Sequence, residues 1–192
     1  LKGAASDRQK DLLFKSVLDG WRIGNAGPER GSKNTLELKA RITRKGDQSV
    51  IDGQKFYSTG ALFAHWVAVK ALNDEGRPVM AFVRRGTPGL RIVDDWSGFG
   101  QRTTASGTVL LDQVQVDNDL VVDIWRQSEV PNIQGAVSQL IQAAIDAGIA
   151  EAAVTETIAF VRERARPWID AKVERASDDL YVIADIGRLQ LE

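Results

Sequence analysis

The chain has 192 residues, 43% of them hydrophobic and 27% charged, with a net charge of −1. That is enough apolar material for one large packed domain or two small ones, and the dispersed, balanced charge carries no nucleic-acid footprint. The lack of cysteine excludes disulfides and thiolate sites, and a single histidine, His65, excludes a multi-histidine metal site.

Residues 4–19 read as a short helix. Ser6 or Asp7 is the candidate N-cap, Leu12, Leu13, Val17 and Leu18 recur at helical spacing, and Gly20 is the stop. Residues 21–35 read as a loop rich in glycine and polar groups, Gly24-Asn25-Ala26-Gly27-Pro28-Glu29-Arg30-Gly31-Ser32-Lys33. Its backbone amides can wrap an anion or a ring edge, but it lacks the spacing of a P-loop or a dinucleotide fingerprint.

From residue 36 the period changes to two. Leu36, Leu38, Ala40 and Ile42 alternate with Glu37, Lys39, Arg41 and Thr43, the pattern of a half-buried antiparallel strand. Further strands are expected at Ser49–Ser58, Phe63–Leu72, Val79–Val83, Leu90–Asp94, Gly107–Leu111 and Val114–Val116, punctuated by turns at Lys45-Gly46-Asp47, Asn73–Pro78 and Arg85–Gly89. Phe63–Leu72 is apolar on both faces and should be central. Short strands with regular turns predict an antiparallel β-sandwich or barrel. Near residue 129 the period becomes helical: Ile133, Val137, Leu140, Ile141, Ala144, Ile145 and Ile149 form a stripe that persists to about Arg164, and Pro167 ends it. A second helix is expected to start at Ser177 or Asp178 and to run through Leu189. Such a stripe requires further helices or another subunit to cover it.

One stretch stands out chemically. In Gly53-Gln54-Lys55-Phe56-Tyr57-Ser58-Thr59-Gly60 a short aromatic strand ends in two hydroxyls and a glycine. Ser58 and Thr59 each donate one hydrogen bond and accept two, Tyr57 offers a ring face, and Gly60 permits close backbone approach. These are the parts that one edge of a heteroaromatic ring requires; they also fit a plain strand ending in a polar turn.

The combination of the Gly24-Asn25-Ala26 loop, the Lys-Phe-Tyr-Ser-Thr-Gly-Ala strand end (Lys55–Ala61) and the helix ending Arg-Glu-Arg-Ala-Arg-Pro-Trp (Arg162–Trp168) resembles the acyl-CoA dehydrogenase superfamily along essentially the whole chain. Tyr57-Ser58-Thr59-Gly60, Asp94-Asp95-Trp96, Gly100–Gly107 and Ala165-Arg166-Pro167-Trp168 are similar to the superfamily's flavin-dependent monooxygenase branch. The resemblance implies an α+β fold in three parts: 1–20, the last helix of an N-terminal helical domain; 21–128, a middle β-domain carrying a flavin half-site; and 129–192, the first two helices of a C-terminal bundle. The chain opens at Leu1 without methionine and stops inside a helical pattern, so an internal fragment is expected.

The same resemblance implies cofactor-binding roles. Asn25 faces the pyrimidine edge of the isoalloxazine, Thr59 donates toward the redox-active part of the ring, and Ser58 is a further cofactor-binding residue. Trp96 walls the ring, and Ser106 reaches flavin or phosphate. Arg164 and Arg166 meet the phosphate of a neighbouring subunit's flavin. Trp96 also reads as a core or hairpin aromatic, Arg164 and Arg166 as a solvated helix end, and His65, in an apolar segment, as structural. No catalytic residue is assigned and no metal is expected. Where one dehydrogenase position for the glutamate base falls, this chain has Ser138-Gln139, which cannot serve as a base.

The implied function is a flavin-dependent oxidoreductase: a reduced-FMN-dependent monooxygenase acting on small organosulfur compounds. A separate flavin reductase would supply the reduced cofactor, within a homo-oligomer, a tetramer, in the cytoplasm. No nucleic-acid or membrane partner is expected, since no apolar run is long enough to span a bilayer and no leader-like segment is seen. Two alternatives stand beside it: an FAD-dependent acyl-CoA dehydrogenase, and a catalytically incompetent fragment that serves as an assembly module.

Overall fold

The computed structural model describes residues 3–31 and 37–191. It divides into two compact units, Leu1–Pro131 and Asn132–Glu192. Ser32, Lys33 and Leu36, which the sequence assigns to a loop and a strand, lie outside the described residues.

The first unit opens with α1 (Asp7–Leu18). Its start follows from a reciprocal cap: the Gln9 amide donates to Ser6 Oγ at 3.2 Å, and the Ser6 amide donates to Gln9 Oε1 at 2.8 Å. Its end follows from Gly20, whose φ of 84° lets Gly20 N reach Val17 O and Trp21 N reach Ser16 O. Of the expected apolar stripe only Leu13 is buried, packed with Trp66, Phe82 and Val122; Leu12, Val17 and Leu18 are exposed.

Eight strands follow: β1 (Ile23–Ala26), β2 (Arg41–Lys45), β3 (Gln48–Lys55), β4 (Trp66–Leu72), β5 (Pro78–Arg84), β6 (Leu90–Val93), β7 (Thr108–Asp117) and β8 (Val121–Val122). They form one sheet in the order β6-β7-β3-β2-β4-β5-β8, with β1 paired to β4. Most neighbours are antiparallel, as the alternating pattern requires. β4 is central, between β5 on one side and β1 and β2 on the other. Its apolar positions join Ile51, Val79, Val83, Val109 and Val114 in a core of small, mainly β-branched side chains.

Several boundaries differ from the sequence expectation. The strand expected over Ser49–Ser58 is β3, which ends at Lys55, so Phe56, Tyr57 and Ser58 lie beyond it, and β8 has no counterpart in the expected strands. The segment read as a loop from residue 21 contains β1, which pairs in parallel with β4, Asn25 opposite Ala68. Four residues whose two buried positions are Gly24 and Ala26 give no periodic signal; the strand exists because β4 supplies its partners. The strand expected from Phe63 begins at Trp66, because Gly60, at φ 76°, turns the chain into a 3-10 helix at Ala61–Phe63 that leaves Phe63 65% exposed. The two segments expected at 107–116 are one strand, β7, bent where Gln113 takes φ 48° and donates its amide to Asp52 Oδ1. β2 begins at Arg41, because the Lys39 and Ala40 amides, instead of joining a ladder, donate to the Glu29 carboxylate at 2.6 and 3.0 Å.

The second unit holds α2 (Gln134–Glu163) and α3 (Leu180–Leu191), which pack on each other. The second helix starts later than expected: Asp179, not Ser177 or Asp178, caps it, accepting from Tyr181 N at 2.8 Å and from Ile183 N at 3.0 Å. No residue of α2 is buried, and Leu140, Ile141, Ile145 and Ile149 are all about half or more exposed. Among the described residues no helix is long and apolar enough to cross a membrane.

Candidate functional site

Three separate segments of the first unit meet at one end of the sheet. β1 carries Asn25, the segment after β3 carries Tyr57–Gly60, and the segment before β7 carries Thr104–Gly107. Backbone hydrogen bonds stitch them together. Asn25 N donates to Thr59 O at 2.9 Å, Ser58 N to Gly107 O at 2.9 Å, Gly60 N to Thr104 O at 2.9 Å, and Leu62 N to Ala105 O at 3.2 Å. Contacts this close need glycine: a Cβ on Gly24 would lie 2.7 Å from Ala61 Cα, and one on Gly107 would lie 2.2 Å from Val93 O.

The backbone is strained here. Tyr57, Gln101 and Ala105 are left-handed without being glycine, with φ of 53°, 52° and 53°. Each such residue costs on the order of 1–3 kcal/mol, which the surrounding hydrogen bonds offset. What the strain achieves is orientation. Tyr57 and Ala105 immediately precede Ser58-Thr59 and Ser106, so the two turns set the direction of the hydroxyls.

Those hydroxyls form a chain. Ser106 Oγ donates to Thr59 Oγ1 at 3.3 Å, and Thr104 Oγ1 lies 2.8 Å from Ser106 Oγ. Thr104 Oγ1 donates its one proton to Gln101 O at 2.9 Å, so Ser106 is the donor within the cluster, and the proton of Thr59 is left with Tyr57 O at 3.5 Å, the outer limit of a hydrogen bond. Thr59 is exposed, whereas Ser106 is buried, so Thr59 is the donor that the chain presents to the surface. The Asn25 amide is exposed beside it, and its side chain has no partner among the described residues.

Aromatic groups stand alongside. The Trp96 ring meets Tyr57 edge-on at 6.1 Å, and its indole N–H donates to Gln101 O at 2.9 Å. Arg30 lies 4.4 Å over Phe56 and 5.0 Å over Tyr57. Asp95 ties the Trp96 loop to β7 by accepting from Thr108 N at 2.8 Å and from Thr108 Oγ1 at 2.6 Å. The Thr108 hydroxyl, followed by the Thr108 amide, holds the Asp95 carboxyl below its ordinary range despite some burial.

Beneath the loop is a buried ion pair that the sequence reading misses. Lys55 Nζ meets Glu29 Oε1 at 2.6 Å, with the two side chains 0% and 4% exposed, and it also donates to Gly27 O at 3.2 Å. Burial raises the Glu29 pKa, but the Lys55 hydrogen bond, the Ala40 and Lys39 amides and the Lys55 charge together hold it below its ordinary value. Burial lowers Lys55, against the pull of Glu29. The pair fastens the loop that follows Asn25 to the end of β3. The available signal is parity: Lys55 sits opposite Val109 on the inward face of its strand, where a cation demands an acid.

Asn25, Thr59, Ser106 and Trp96 are thus brought to one end of the sheet. Ser58 is there too, but fully enclosed, with its hydroxyl unpartnered among the described residues, so it does not reach the surface. Arg164 and Arg166 belong to the second unit, at the end of α2 and just beyond it. Both are exposed and form no ion pair among the described residues. His65 is held structurally: its Nδ1 accepts from Arg22 N at 3.0 Å, and its ring stacks on Trp21.

No family model matches the chain. It is 30% identical over 97% of its length to dibenzothiophene monooxygenase of Rhodococcus erythropolis, covering 48% of that protein. It is 26% identical over 94% of its length to the Probable FMNH2-dependent monooxygenase SfnC of Pseudomonas putida, covering 45%. The chain therefore spans about half the length of the curated relatives it matches. Among solved structures, FMN-bound TdsC from Paenibacillus sp. A11-2 superposes with a TM-score of 0.80 at 29% identity, covering 97% of this chain and 51% of that one. The fold is that of the acyl-CoA dehydrogenase superfamily.

Proposed function

We propose, for a chain that resembles the flavin-dependent monooxygenase branch of the acyl-CoA dehydrogenase superfamily along its whole length, that it carries half of an FMN site in a monooxygenase acting on small organosulfur compounds. The observation that carries this reading is the meeting of Asn25, Thr59 and Ser106 from three segments, beside Tyr57 and Trp96. Sequence proximity does not force that meeting.

The donor set fits FMN. An amide that both donates and accepts suits the pyrimidine edge of an isoalloxazine, and a hydroxyl with an uncommitted proton suits a ring position that changes protonation. Glycines at 24 and 107 let the segments pack closely enough to give one continuous edge, and Gly60 makes the turn between them at φ 76°. When bound, reduced FMN supplies the electrons with which oxygen is activated for transfer to sulfur. The chain's own part is to orient the ring through Asn25 and Thr59, to hold a proton at Thr59 Oγ1 through the hydrogen bond it accepts from Ser106, and to shield one side with Trp96 and Tyr57. Arg164 and Arg166 are assigned to the flavin phosphate of a neighbouring subunit, where a guanidinium fork suits phosphate.

The same reading includes the division at residues 20 and 128, a flavin reductase as partner, cytoplasmic location and a tetramer in which other helices cover the exposed Leu140, Ile141, Ile145 and Ile149. A sedimentation mass equal to one chain, at concentrations where the protein turns over, would count against the tetramer.

The decisive experiment is a titration with FMN and with FAD, repeated on Thr59→Val, which keeps the shape and removes the hydroxyl. FMN is expected to bind more tightly than FAD, and the variant to bind FMN roughly tenfold more weakly, the value of one hydrogen bond of about 1.4 kcal/mol. Unchanged affinity and turnover would remove Thr59 from the site. Preference for FAD with desaturation of an acyl thioester would move the assignment to an acyl-CoA dehydrogenase.

A further inference from the structure

We propose that the concavity formed by Trp21, Arg22, Phe63, His65, Arg84 and Arg85 binds a small aromatic oxyanion: a sulfonate, phosphate or carboxylate carried on an aryl ring. The concavity has a volume of about 530 Å³, and no carboxylate lines it. It shares no residue with the flavin half-site, so the inference stands independently of that reading.

No ion pair among the described residues engages the charge. Among the described residues none of the three arginines forms an ion pair. Arg84 lies over the rings of Trp21 at 4.9 Å and Trp66 at 5.9 Å, which fixes its plane and leaves its fork unused. Arg85 directs Nη1 at the Leu62 and Ala61 carbonyl oxygens, which holds the guanidinium in place and leaves its other N–H groups uncommitted. Like charges gathered in one concavity repel, and a bound anion is what relieves them.

The fourth donor is His65. Its Nδ1 accepts from Arg22 N, so the proton of the neutral ring sits on Nε2. Trp21 and His65 stack at 5.4 Å with 24° between their planes, and Phe63 stands 65% exposed in the same lining. Guanidinium forks for the oxygens and aromatic faces for the body together select an aryl oxyanion over a simple inorganic one.

The test is calorimetric titration of the chain, without flavin, with benzenesulfonate, phenyl phosphate, benzoate and the neutral benzenesulfonamide. At least one of the three anions is expected to saturate, with benzenesulfonamide silent, and their order of affinity identifies the head group. Arg84→Gln and Arg22→Gln should each weaken binding at least tenfold. Arg84→Lys, which keeps the charge and loses the fork, should fall between the wild type and Arg84→Gln. Circular dichroism verifies that the variants fold. Equal affinity in the glutamine variants, equal binding of benzenesulfonamide, or no saturation with any anion below about 10 mM would overturn the proposal.

Discussion

Replacing Glu29 with Gln is expected to lower the unfolding free energy by about 3–5 kcal/mol, the usual cost of removing one partner from a buried ion pair. Gln keeps the shape, and its side-chain oxygen can still accept from the Ala40 or Lys39 amide. What it loses is the charge opposite an ammonium group that is 0% exposed. Lys55→Met should cost less, because Glu29 retains both amide donors. The double variant should cost less than the sum of the singles, since neither charge is then stranded. Urea denaturation of the four proteins measures all of this.

The sign of the pH dependence follows from Glu29. Its folded pKa lies below the ordinary glutamate value of 4.5, so its contribution is fully present above that value and is lost as pH falls through the lower, folded value. The gap between wild type and Glu29→Gln should therefore narrow on acidification. A gap that stays constant down to the acid transition would show that the pair contributes nothing as a charged unit.

Gly24→Ala is expected to disassemble the site. The new methyl group would fall 2.7 Å from Ala61 Cα, 2.8 Å from Ala61 N and 2.9 Å from Ala64 Cβ, and two of those atoms are backbone. Either β1 or the Ala61–Phe63 turn must move, which separates Asn25 from Thr59. Overpacking of this kind costs about 1–3 kcal/mol, and loss of the Asn25 and Thr59 contacts should weaken FMN by more than tenfold. Gly148→Ala is the contrast. It meets nothing within 4 Å inside α2, so in the single chain alanine should stabilise by roughly 0.5–1 kcal/mol. Denaturation midpoints distinguish the two, and FMN titration checks the first; a Gly24→Ala protein with normal affinity would refute the close-packing argument.

What the sequence revealed divides along physical lines. Period two and period 3.6 located the sheet and the helices, because burial on one face leaves a pattern that is local in the chain. Ser6 and Gly20 announced α1 for the same reason: caps are built from adjacent residues. β1 was invisible, since Ile23–Ala26 is a strand only by virtue of β4. The hydroxyl at Thr59 was readable from its type and its place in the polar turn that follows β3. The hydrogen bond it accepts from Ser106 was not, because that depends on two left-handed turns, at Tyr57 and Ala105, that no side chain advertises. The Glu29–Lys55 pair spans 26 positions and leaves only a parity clue at Lys55.

The central claim, that FMN seats on the Asn25–Thr59–Ser106 edge, is tested most directly by backbone amide NMR of the isotope-labelled chain during addition of FMN. The signals expected to move are those of Asn25, Tyr57–Gly60 and Thr104–Gly107, together with the indole N–H of Trp96, and the shifts should shrink in Thr59→Val. If those signals stay fixed while others move, above all Trp21, Arg22 and Arg84, the flavin is held elsewhere and the assignment of this edge is wrong.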